Sequence, residues 1–111
     1  MDKLRDLSKA GTLADAMAAD VAVIYKHSHR CPLSRLAMHE VNGFAERSPH
    51  VPVYMVNVVR DRTLSQQLAI DLGVQHQSPQ VILLKRGHPE AHASHGKITS
   101  KLLEEWARDG T

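Results

Sequence analysis

Cys31 is the only thiol in a chain of 111 residues, and Pro32 follows it directly. Proline is favoured at the first position of a helix, so Cys31 falls at the N-cap of the helix that Pro32 opens. A sulfur there meets backbone N–H groups with no intrahelical acceptor and the positive end of the helix dipole, and both stabilise an anion. Lys26, His27, His29 and Arg30 precede it with no acid among them. Lys26, His29 and Arg30 are assigned the added positive potential that holds a thiolate. An ordinary thiol is only about 3% ionised at pH 7, so this activation separates a nucleophile from a small buried hydrophobe. A basic polar loop before Cys31 and a proline after it are poor surroundings for core packing, and the reading is a reactive thiolate.

Its partner thiol is missing. The motif is Cys31-Pro32-Leu33-Ser34, where a dithiol oxidoreductase carries Cys-x-x-Cys so that the second thiol resolves the mixed disulfide. Ser34 resolves nothing, although its hydroxyl can reach the sulfur from the first turn. The chemistry must stop at a mixed disulfide until an outside thiol arrives. That favours exchange with a small thiol over net oxidation of protein dithiols. A single cysteine excludes an intramolecular disulfide, and a reducing cytoplasm is the expected compartment.

Stepping from the sulfur to its supports, short apolar runs alternate with helical patterns. Thr12 and Asp15, with Leu13, Ala16 and Met17, read as a capped short helix. Val21–Tyr25 is an unbroken β-prone run, the pattern of a strand covered on both faces. Leu33, Leu36, Ala37, Val41 and Phe44 form one stripe of a helix ending near Ser48-Pro49. Val51–Val59 is a second strand, followed by a helix over Leu64, Leu68, Ile70 and Leu72 that Gly73 stops. Gln80–Leu84 is a third strand, and after the turn at Arg86-Gly87-His88-Pro89 the residues Glu90–His95 return as its hairpin partner. Thr99 is the N-cap of a last helix with Leu102, Leu103 and Trp106 on its apolar side, and Ile98 can staple onto Leu103. The order α-β-α-β-α-β-β-α predicts one α/β domain over 1–111. Its mixed sheet has four strands, or five with an edge strand before Gly11, flanked by helices and finishing β-β-α. Strands joined through a helix are expected to be parallel.

Ser78-Pro79 opens the third strand. If Pro79 lies at the reactive end of the sheet, the hairpin brings His92, Ser94 and His95 back to that end. The helix start at Thr99-Ser100, with His95 and Lys97, is then a candidate seat for carboxylates. Taken alone, the Ser78–Pro79 bond is expected to be trans, since only about 5–6% of such bonds are cis.

Composition narrows the rest. Lys and Arg total 14 against 12 for Asp and Glu, an excess too small to argue for a nucleic-acid partner, and aromatics at 4% provide no stacking platform. No apolar run approaches the ~18 residues of a membrane span, and the charged start Met1–Asp6 is unlike a signal peptide. Eight histidines with one cysteine lack any paired ligand motif, so no metal and no bound cofactor are expected.

Four blocks in order resemble the monothiol bacilliredoxins, the YtxJ-type thioredoxin-like proteins of bacteria that use bacillithiol. They are Lys26-His27-Ser28, Cys31-Pro32-Leu33-Ser34, His76-Gln77-Ser78-Pro79-Gln80, and His92-Ala93-Ser94-His95 with Ile98-Thr99. The resemblance runs from about Val21 to Leu103 and implies a thioredoxin-like fold, Cys31 as the attacking thiol and Pro79 as a cis-proline. It implies removal of bacillithiol, the co-substrate, from S-bacillithiolated proteins. Cys31 and Ser34 would form the catalytic pair, with Pro32, Ser78, Pro79, His95, Lys97 and Thr99 binding substrate. His29 departs from the family's small hydroxyl residue, as do Ala91 and Gly96 from its large aromatics. The residues by themselves leave open an arsenate-reductase-like enzyme, an iron–sulfur carrier and a non-catalytic partner-binding protein of the same fold.

Overall fold

The structure, a computed structural model, describes residues 3–109, so both ends of the domain expected over 1–111 lie outside the described residues. A five-stranded sheet has the order β1-β3-β2-β4-β5. Its strands are β1 (Leu4–Asp6), β2 (Val21–His27), β3 (Val53–Asn57), β4 (Gln80–Lys85) and β5 (His88–Ser94). The helices are α1 (Thr12–Ala18), α2 (Pro32–Arg47), α3 (Arg62–Leu72) and α4 (Ser100–Asp109), with a short 3-10 turn at His95–Lys97. The mixed sheet and its β-β-α finish agree with the sequence reading, and the edge strand before Gly11 is present and parallel to β3.

β2 takes a central place because its sequence is apolar on both faces, and alternation divides it. Val23 and Tyr25 face the core formed with Ala37, Val41 and Phe44 of α2 and Leu103 and Ala107 of α4. Ala22 and Ile24 face the other core, with Ala16 of α1 and Leu68 and Leu72 of α3. The same division sends Lys26 and His27 to opposite faces, which decides their chemistry below.

One topological expectation fails. β3 and β4 are joined through α3, yet β4 runs antiparallel to β2, which is itself parallel to β3. The cause is the irregular connection from Gly73 to Pro79. Its six residues after Gly73 can reach up to about 20 Å, enough to offset the ~16 Å run of an 11-residue helix, so β4 starts at the end where β3 finished. Gly73 permits the reversal with φ 67 at the helix end, where its N–H reaches back to Ile70 O.

Three side chains also leave their predicted faces. Leu33 is 41% exposed, Leu36 67% and Ile70 73%. The buried face of α2 is instead Ser34, Ala37, Val41, Phe44 and Ala45, so two leucines beside the cysteine face solvent. Thr12 is the first residue of α1, and Gly11 at φ 84 takes the N-cap position that Thr12 was expected to fill.

Candidate functional site

β2 ends at His27, the chain turns through Ser28–Arg30, and α2 begins behind Cys31 at its N-cap with Pro32 in the first turn. This is the position the sequence assigns to the sulfur. Backbone bonds hold the turn: Cys31 N–H donates to Ser28 O at 3.2 Å, and Ser34 N–H to Cys31 O at 3.0 Å. Cys31 remains partly exposed and lines a cleft of about 540 Å³ with His27, His29, Arg30, Arg35 and Met38. No acid lines this cleft. Arg30 and Arg35 have no ion-pair partner among the described residues.

Ser34 does not act as expected. Its side chain is fully buried, and its Oγ accepts the Ser28 N–H at 3.2 Å. No hydrogen bond joins it to the sulfur. The hydroxyl ties the turn before Cys31 to the helix after it, a positioning task. The physical reason is that three residues along a helix, the side chain lies under the cap rather than over it.

Lys26 is a second correction. Being one residue out of phase with Tyr25 and His27, it points through the sheet and is 0% exposed on the far side. There Nζ donates to Ser65 O at 3.3 Å and to His76 Nδ1 at 3.1 Å. Burial pushes the Lys26 ammonium below its usual range, and burial together with Lys26 does the same to His76. Lys26 fastens α3 and the segment leading to Pro79. It does not line the cysteine cleft, whereas His29 and Arg30 do.

Beneath the cleft lies an arrangement whose roles the sequence did not disclose. The Tyr25 hydroxyl, 0% exposed, donates to Ser34 O at 3.0 Å and is 2.8 Å from His27 Nδ1. Burial raises the Tyr25 phenol well above its usual value; interaction with the Ser34 side chain opposes this and charge on Cys31 adds to it. Burial first, then the charge of His29, holds the His27 imidazole below its ordinary range. The two-residue strand period from Tyr25 was the available signal for His27. Cys31 plus one helical turn was the signal for Arg35.

The Ser78–Pro79 bond is cis, so the trans expectation for an isolated X–Pro bond is overturned and the resemblance is upheld. Gln80 pairs with Lys26, which puts Ser78-Pro79 at the same end of the sheet as Cys31. Ser78 Oγ is buried there with no hydrogen-bond partner. The hairpin returns Ser94 and His95 as expected, Ser94 pairing with Gln80 and His95 N–H donating to Pro79 O at 3.0 Å, whereas His92 pairs with Ile82 further along the strand and does not line the cleft of Cys31.

Lys97 and Thr99 part from this group. Both line a separate cleft between β5 and α4, with His92, Glu105 and Trp106. Thr99 Oγ1 caps α4 by accepting Leu102 N–H at 3.1 Å, as its N-cap assignment requires. The adjacent Ser100 N–H is taken by Glu40 Oε1 of α2 at 2.9 Å. The chain's own carboxylate therefore sits where the sequence expected a ligand's.

A thiol at the mouth of a basic cleft, on a helix following the central strand, with a cis-proline at the same sheet end, defines a thioredoxin-fold thiol protein. A solved structure described as having a thioredoxin fold superposes with a TM-score of 0.85 at 26% identity, covering 94% of this chain and 93% of that one. A mutant thioredoxin from Halobacterium salinarum gives 0.79 at 20% identity, covering 99% and 92%. Thioredoxin from Trypanosoma brucei brucei gives 0.75 at 17%, covering 96% and 88%. Residues 2–103 match the model of the monothiol bacilliredoxin BrxC family, and the chain belongs to that family. Among the described residues no helix is long and apolar enough to cross a membrane.

Proposed function

We propose that the protein is a thiol–disulfide oxidoreductase that removes bacillithiol from S-bacillithiolated proteins in a reducing cytoplasm. The observation that carries this reading is Cys31, partly exposed at a helix N-cap in an acid-free cleft, with a buried serine in place of a second thiol. The Cys31 thiolate attacks the bacillithiol sulfur of the mixed disulfide. That S–S bond breaks, the substrate cysteine leaves as a thiolate and takes up a proton, and Cys31 is oxidised to its own bacillithiol disulfide. A second bacillithiol attacks that sulfur, leaves as the symmetrical disulfide, and returns Cys31 reduced. The malyl carboxylates of bacillithiol are assigned to Arg30 and Arg35, cations already in the cleft, rather than to the occupied helix start at Ser100.

Mixing the reduced protein with a bacillithiolated substrate and following intact mass tests this directly. The expected result is transfer of the bacillithiol mass to Cys31, abolished in Cys31→Ala. Substrate reduction that proceeds equally in Cys31→Ala overturns it.

A further inference from the structure

We propose that His27 is the general base for the external thiol that releases the Cys31 adduct. The inference rests on the monothiol exchange proposed above, and adds the residue that makes its second half work at neutral pH.

Hydrogen-bond direction fixes the tautomer. A backbone carbonyl only accepts, so the bond from Tyr25 to Ser34 O uses the single phenolic proton. Without a proton between them, two acceptor oxygens 3.0 Å apart would repel. Tyr25 Oη then meets His27 Nδ1, 2.8 Å away, with a lone pair, and Nδ1 must carry the hydrogen. The lone pair of the imidazole is left on Nε2, which has no partner among the described residues. His27 lines the cleft that holds Cys31. The titratable and charged groups around it are Tyr25 on its own strand, His29 and Arg30 in the turn, Cys31 at the N-cap and Arg35 on α2. While Cys31 is held in its mixed disulfide it carries no charge, the remaining charged side chains of the cleft are cationic, and burial with the charge of His29 disfavours the imidazolium and keeps Nε2 free to accept.

A chain with one cysteine depends on a thiol from solution, and an unperturbed thiol is only about 3% ionised at pH 7. The step is balanced as follows. The incoming thiol gives its proton to His27 Nε2, and its sulfur attacks the outer sulfur of the Cys31 mixed disulfide. The S–S bond to Cys31 breaks, and Cys31 leaves as the thiolate. The two small thiols depart as an oxidised disulfide, and the imidazolium returns its proton to solvent.

The test uses the full-length protein loaded at Cys31 with glutathione from oxidised glutathione, so it runs whichever thiol is natural. Release by glutathione is followed by intact mass from pH 6 to 9.5. His27→Asn is the decisive variant, because its amide N–H can replace Nδ1–H toward Tyr25 while nothing replaces Nε2. The expected result is release slowed about tenfold or more near pH 7, with the deficit closing by about pH 9, where the thiol ionises unaided. A deficit of constant size across pH, or none, overturns the proposal. In the wild-type protein, a normal solvent deuterium isotope effect on release at pH 7 is expected, and its absence counts against the role independently of how the variant folds. Failure to load from a bacillithiolated protein bears only on the preceding proposal.

Discussion

The hydroxyl of Tyr25 donates to the carbonyl of Ser34 at 3.0 Å, joining a buried position near the end of the central strand to the first turn of the helix that follows the cysteine. The sheet thereby sets the height of the sulfur above the core. Tyr25→Phe keeps the packing and deletes this bond, so a loss of about 1 kcal/mol in urea unfolding is expected. It also frees His27 to take either tautomer, and release of the Cys31 adduct at pH 7 is expected to slow.

Ser34→Ala removes the acceptor of the buried Ser28 N–H. An orphaned buried donor costs about 1–3 kcal/mol, so a clear fall in the unfolding midpoint is expected. Hydrogen exchange should quicken first at the Ser28 amide. Unchanged stability would show that the turn is held by its backbone bonds instead.

Lys26 gives a pH dependence of defined sign. Burial lowers its folded value, so between that value and the unfolded value of about 10.4 the unfolded chain binds more protons. Stability is therefore expected to rise with pH as it approaches 10. Tyr25 acts oppositely: its raised value means the folded state keeps its proton longer, and its contribution is lost as pH climbs above about 10. Lys26→Met places an apolar side chain of similar length in the same pocket and should flatten the rise, measured as unfolding midpoints from pH 7 to 10.

The two clefts make different claims on the proposed co-substrate. Arg35 lines the cleft of Cys31 and Lys97 the one beside α4. Arg35→Glu is expected to raise KM for a bacillithiolated substrate several-fold, since Arg35 is exposed and a solvent-screened ion pair is worth up to about 1 kcal/mol. Lys97→Glu should raise it far less. The reverse order would return the carboxylates to the region of Thr99.

Leu33 and Leu36 stand in solvent beside the reactive turn, although the helical period placed them in the core. Exposed apolar side chains next to a nucleophile are natural contacts for a protein substrate. Leu36→Asp is expected to lower kcat/KM for a bacillithiolated protein several-fold while small-disulfide exchange by the same variant falls much less. Equal losses would point to a disturbed helix.

The sequence by itself determined the local features. Pro32 after Cys31 fixed the sulfur at a helix start, Gly73 ended α3, and Thr99 began α4, because caps and breakers act within a turn of the chain. It also determined that one thiol must act without a second. Tertiary structure alone decided what each polar group near the site touches. Lys26 was lost to the far face by strand alternation, Ser34 was drawn under the cap, and Glu40 from another helix filled the α4 terminus. Only with α3 followed by an irregular return did β4 reverse and bring Pro79 to the end of the sheet that holds Cys31. Burial and hydrogen-bond direction are properties of packed neighbours far apart in sequence, and no spacing along the chain encodes which lone pair is left facing the cleft.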